Sequence, residues 1–160
     1  AEAGVDGFII ETMFDLREAL CALRACRGNF PLPVIVSIAF KTETKGGRTM
    51  MGNSAEDCAK SLTDAGVDVI GANCGDLDPS QMAVVVSILK SATNVPILAQ
   101  PNAGKPRLVG DKTVFDMEPA IFALGINECL QAGARIAGGC CGTTPEHIRA
   151  VTALLNRKKR

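Results

Sequence analysis

Three cysteines stand where their chemistry could converge. Cys140 and Cys141 are adjacent within Gly138-Gly139-Cys140-Cys141-Gly142, and Cys74 follows Asn73 at the end of a separate apolar run. Thiolate sulfur is a soft ligand suited to Zn²⁺, and three protein ligands leave a fourth tetrahedral position for a substrate, as in a catalytic rather than a structural zinc site. Neighbouring residues on a regular strand face opposite ways, so both thiols reach one ion only where the backbone leaves the strand. The flanking glycines permit that departure. The plainer role of a free cysteine is to pack in a core. That role suits Cys21, Cys26, Cys58 and Cys129, which all fall inside predicted helices. It would also suit Cys74 alone, and the vicinal pair alone would leave packing and ligation evenly balanced. All three at strand ends shift the balance to a metal.

Other residues cluster at the same kind of position. Glu11 and Thr12 follow the first apolar run, Asn73 precedes Cys74, and Gln100 to Gly104 follow a fourth run and include Asn102. Glu11 is a candidate functional carboxylate by its strand-end position, although a solvated acid is the commoner fate of a glutamate. Asn102 is equally readable as a substrate contact or as the turn residue of Pro101-Asn102-Ala103-Gly104. His147, the only histidine, falls in the first turn of the last predicted helix, which favours a solvent-facing or cap-supporting role over metal ligation. The polar, Gly-rich loop 41–52 reads either as a lid or as an ordinary connection.

The elements that must position these residues are repeated βα units. Apolar runs at 5–10, 34–39, 67–72, 95–99 and 134–137 read as buried strands, starting at intervals of about 28 to 39 residues. Helix signals follow each: Asp15 before a Leu16, Ala19, Leu20, Leu23, Cys26 stripe ended by Gly28; Asn53 or Ser54; Asp78-Pro79; Glu118-Pro119; and Thr143-Thr144-Pro145-Glu146. No step carries a hairpin signal, so the sheet reads as parallel. Ala3-Gly4-Val5, Ala65-Gly66-Val67 and Ala132-Gly133-Ala134 each set a glycine helix stop against a strand start. The unusual residues gather at strand C-termini, as in a (β/α) barrel, and Glu11-Thr12-Met13-Phe14 is no phosphate loop of a doubly wound sheet.

At 160 residues and 47% hydrophobic, the chain can bury a substantial core. Lysine plus arginine and aspartate plus glutamate each total 17, so no net field would gather nucleic acid or an anionic membrane. No run approaches the roughly 20 apolar residues of a membrane span, so a cytoplasmic protein acting on a small molecule is expected. Its seven cysteines, an odd number in an aliphatic-rich chain, argue against a disulfide scaffold.

Asn73-Cys74, Pro101-Asn102-Ala103-Gly104-Lys105-Pro106 and Gly138-Gly139-Cys140-Cys141-Gly142-Thr143-Thr144-Pro145-Glu146-His147-Ile148 resemble the homocysteine S-methyltransferase family, most closely its cobalamin-dependent methionine synthase branch. The resemblance covers essentially the whole chain. It implies an eight-stranded TIM barrel of which this chain supplies five βα units, strands four to eight. Residues 1–156 would be the C-terminal part of that domain and 157–160 a basic tail or linker. It further implies zinc on Cys74, Cys140 and Cys141, homocysteine held through its amino group by Glu11, and Asn73 and Asn102 near the substrate. Methylcobalamin would be the methyl donor, carried by another domain, and the N-terminal barrel segment and the cobalamin and folate domains would be partners. Betaine and S-methylmethionine are alternative donors within the family, and a zinc-binding half-barrel without chemistry is the alternative outside it.

Overall fold

The computed structural model describes residues 2–157. The tail expected at 157–160 falls outside them, apart from the backbone of Arg157 at the end of the last helix.

The elements in chain order are β1 (Phe8–Met13), α1 (Leu16–Asn29), β2 (Val34–Ile38), β3 (Phe40–Thr42), β4 (Arg48–Thr49), α2 (Ala55–Asp64) and β5 (Val69–Asn73). They continue with α3 (Pro79–Ala92), β6 (Ile97–Gln100), β7 (Arg107–Val109), β8 (Lys112–Val114), α4 (Pro119–Gln131), β9 (Ala134–Ala137) and α5 (Pro145–Arg157). Five strands form one sheet in the order β1-β2-β5-β6-β9, every pair parallel. The order follows the chain without the reversal that creates the crevice of a doubly wound fold, so that alternative is excluded.

Helix starts follow the capping chemistry of the sequence. Asp15 accepts from Arg17 N, Ser54 accepts from Asp57 N, and Asp78 with Gln81 makes a reciprocal capping box ahead of Pro79. Two of the three Ala-Gly phrases follow helix ends, with φ of 82° at Gly66 after α2 and 117° at Gly133 after α4, and Gly4 has φ 82° in a turn before β1.

The sheet buries one face against helices. Val34, Val36, Ile38, Ile70, Ala72, Ile97 and Ala99 join Leu23, Leu62, Met82, Val86 and Leu89 in one core. On the opposite face the alternation leaves Ile9, Glu11 and Ile136 exposed, on the two edge strands β1 and β9. A second cluster of Ala103, Phe122 and Ile126, with Met117 and Val151 against it, lies where α4 and α5 meet the loop after β6.

Four expectations need correction. The first strand begins at Phe8 rather than Val5, because pairing starts only where Phe8 N reaches the Pro33 carbonyl, ahead of the first β2 partner. Glu11 and Thr12 therefore lie within β1 instead of after it. Gly28 does not stop α1, which continues to Asn29 and ends where Phe30 turns extended. The strands are also not all parallel. An antiparallel ribbon of β3 and β4 fills the loop 41–52, and another of β7 and β8 follows β6. The second turns through Gly110-Asp111, a two-residue hairpin with a left-handed glycine at φ 60° that suits its first central position.

Candidate metal centre

Cys74 lies immediately after β5, and Cys140 and Cys141 lie just after β9, with β6 between those two strands. A parallel sheet aligns the C-terminal ends of its strands, so residues 67 positions apart meet. Cys74 Sγ is 3.9 Å from Cys141 Sγ, Cys140 Sγ is 3.9 Å from Cys141 Sγ, and all three sulfurs lie within 4.8 Å of one another. Among the described residues this is the only group of three or more histidine, cysteine or acidic side chains placed so that it could hold a metal ion.

Local backbone departures make the convergence possible. Cys74 has φ 54°, a left-handed conformation uncommon outside glycine, and its N–H donates to the Gln100 carbonyl at 3.3 Å. Beyond β9, Gly138 N donates to Ala99 O at 3.0 Å and Cys140 N to Pro101 O at 2.9 Å, so the chain follows β6 and then folds over. Two glycines are required by space. A Cβ on Gly139 would lie 2.3 Å from Thr143 Oγ1, and one on Gly142, at φ 77°, would lie 2.3 Å from Phe115 Cβ.

Two buried asparagines brace the sulfurs. Asn102, 3% exposed, accepts from Cys141 N at 3.1 Å and donates to Gly75 O at 3.1 Å, tying the two cysteine-bearing segments together. Asn73, 1% exposed, accepts from Thr12 N at 2.9 Å, and its Nδ2 lies 2.8 Å from Thr12 Oγ1 and 3.9 Å from Cys140 Sγ. Thr12 is held at φ 62°, a rare state for a β-branched residue, and the β1–β2 register slips between Ile10 and Met13. This bulge lies beside Glu11 and next to the site. Glu11 is exposed, and no hydrogen bond or ion pair of its side chain is found among the described residues. Sequence reasoning did not foresee the strained Thr12 or its pairing with Asn73. No residue-type signal marks a threonine for positive φ.

The donor set fits zinc. With Zn–S near 2.3 Å, tetrahedral geometry sets the sulfurs about 3.8 Å apart, close to the separations found. The Cys141 thiol is pushed up to about 11, first by burial and then by Cys140 and Cys74 beside it. Sulfurs this crowded resist joint ionisation unless a cation lies between them. Cys141 is exposed while Cys74 and Cys140 are half-buried, so one side of the cluster faces solvent and is open to a fourth ligand.

The remaining cysteines take no part. Cys58 and Cys129 are buried in the core, and Cys21 and Cys26 lie along α1. His147 supports a helix cap, as the sequence suggested, but it is 6% exposed and does not face solvent.

The parallel sheet of βα units thus gathers three thiols at the C-terminal ends of its strands, where barrel enzymes collect their functional residues. The sequence profile of the homocysteine S-methyltransferase family matches residues 1–155, and the chain belongs to that family. Methionine synthase of Mycobacterium leprae is 30% identical over 162 residues, covering 98% of this chain and 13% of that protein. Methionine synthase of Mycobacterium tuberculosis is 29% identical, covering 99% of this chain and 14% of that protein. The crystal structure of the homocysteine methyltransferase MmuM from Escherichia coli in its apo form shares the fold, with a TM-score of 0.74 at 24% identity. That match covers 95% of this chain and 50% of the other. The chain thus spans about half of that structure and far less of the methionine synthases.

Proposed function

We propose that this chain is the zinc-carrying part of a homocysteine-binding barrel, strands four to eight of eight, and that it serves methyl transfer to homocysteine to give methionine. The observation that carries this reading is the meeting of Cys74, Cys140 and Cys141 at one end of a parallel sheet in a homocysteine S-methyltransferase. Bound there, zinc supplies the positive charge that keeps a homocysteine sulfur deprotonated near neutral pH.

The chain's own residues supply the rest. The three thiolates hold the metal and leave the solvent side for the substrate. Asn102 and Asn73 have their amides engaged with Cys141, Gly75, Thr12 and Cys140, so they position the ligands from behind. Direct contact with substrate is left to Glu11, whose carboxylate pairs with the homocysteine ammonium. In the reaction a bond forms between the substrate sulfur and the methyl carbon as the bond from carbon to donor breaks. The likeness to methionine synthases supports methylcobalamin on another domain as that donor.

X-ray absorption on the zinc-loaded protein tests the site. The expected first shell is three sulfurs plus one exchangeable ligand, becoming four sulfurs when homocysteine is added. A first shell of oxygen alone, or zinc retained in a Cys140→Ala, Cys141→Ala double variant, refutes the assignment.

A further inference from the structure

We infer that His147 is a positioning residue for the metal-ligand loop, an inference that rests on the zinc reading above. His147 lies in the first turn of α5, several residues beyond Cys141, and touches no candidate ligand. Its ring nevertheless closes a circuit of hydrogen bonds that passes through the ligand itself. Ala103 N donates to Cys141 O at 2.9 Å, and Met117 N donates to Ala103 O at 3.3 Å. His147 Nε2 lies 2.8 Å from Met117 O, and Thr144 N donates to His147 Nδ1 at 3.1 Å. From Thr144 the chain runs back through Thr143 and Gly142 to Cys141, and Thr143 N donates to Cys140 O at 3.1 Å.

The ring chemistry fixes one form of the imidazole. A carbonyl cannot donate, so Nε2 carries the hydrogen towards Met117, and Nδ1 must be bare to accept from Thr144. The ring also meets Phe122 edge-on, with centroids 5.2 Å apart and planes at 86°, so packing holds the orientation that the hydrogen bonds need. In a capping box a Glu or Gln three residues into the helix reaches back to the cap N–H. Here His147 takes that place, and its second nitrogen extends the cap to a different segment. The Cys140–Cys141 turn is thereby clamped from α5 on one side and from the base of the β7–β8 ribbon on the other.

Ligand-orienting groups outside the coordination shell are worth roughly 10- to 100-fold in metal affinity. Three variants of the zinc-loaded full chain separate positioning from bulk stability. His147→Phe keeps the packing on Phe122 and removes the ring's hydrogen bonds to Thr144 N, Thr144 Oγ1 and Met117 O. His147→Asn keeps an acceptor for Thr144 and is too short for Met117. His147→Gln offers an acceptor and a donor with similar reach. The rate of zinc loss to a chromophoric chelator is the primary readout, with the sulfur-to-metal charge-transfer band of the Co²⁺-substituted protein as the second. The expected result is about tenfold or faster zinc loss and a shifted band in the Phe and Asn variants, with far-UV circular dichroism unchanged and both readouts largely restored by Gln. If His147→Phe fails to fold, His147→Asn against His147→Gln makes the same comparison. Zinc held by the Phe or Asn variant as firmly as by a loaded parent overturns this role for His147 and leaves the metal site standing. A parent that holds no zinc overturns both.

Discussion

At the scale of single residues, roles divide by which polar groups still have bonds to make. The amides of Asn73 and Asn102 are engaged on both ends, while Glu11 is exposed without a partner among the described residues, on the bulged stretch next to the thiols. Glu11→Gln is therefore expected to leave zinc content unchanged and to weaken homocysteine binding by ~1.5–3 kcal/mol, the worth of hydrogen bonds to a charged group. Titration calorimetry with metal analysis checks it, and loss of zinc together with homocysteine would show that Glu11 supports the metal or the fold. The convergence of Cys74, Cys140 and Cys141 was legible in the sequence because their types are rare and their positions fall at strand ends. The braces were not. Asn102 in a Pro-Asn-Ala-Gly turn carries the same signal whether it shapes a turn or ties two loops, and only the meeting of residues 75 and 141 across it tells the two apart.

At the scale of elements, local chemistry predicted the helices well and the short ribbons poorly. Ser54, Asp78 and Asp15 are caps because their side chains satisfy helix N–H groups within three residues, information held entirely in the local sequence. The β7–β8 ribbon consists of exposed three-residue strands with no apolar alternation to reveal them. Helix packing also carries a pH signature. Burial pushes the Cys58 and Cys129 thiols from 9.0 up to about 12. A raised folded value means the folded state keeps a proton that the unfolded chain gives up earlier. The stabilisation is complete below about pH 9 and is lost as pH climbs towards 12. Cys58→Ala should reduce the fall of unfolding free energy with pH in that window by about 1.4 kcal/mol per pH unit, whatever its cavity costs at pH 7. Denaturant titrations of parent and variant at several alkaline pH values decide it, and parallel pH dependences would show that the thiol ionises as readily folded as unfolded.

At the scale of the whole molecule, the sheet that positions the site ends in two edge strands, each with one side unpaired among the described residues. β1 and β9 each have one neighbour, and the exposed Ile9 and Ile136 lie on the sheet face away from the helices. Open edges offer rows of backbone donors and acceptors to any other strand, and an uncovered apolar face adds to the drive for association. In the barrel proposed here both are satisfied by further βα units, which also build the far wall of the homocysteine pocket. The 160 residues expressed alone are therefore expected to self-associate and to bind zinc through their own thiols while methyl transfer stays undetectable. Supplying the first three βα units of a family barrel in trans should reduce the association and restore homocysteine binding, because the strands that close the barrel also cover its inner face. Sedimentation velocity run beside a methyl-transfer assay separates these effects. A monodisperse monomer with full activity by itself would mean that the five-stranded sheet is sufficient, and the barrel reading of its edges would have to be given up.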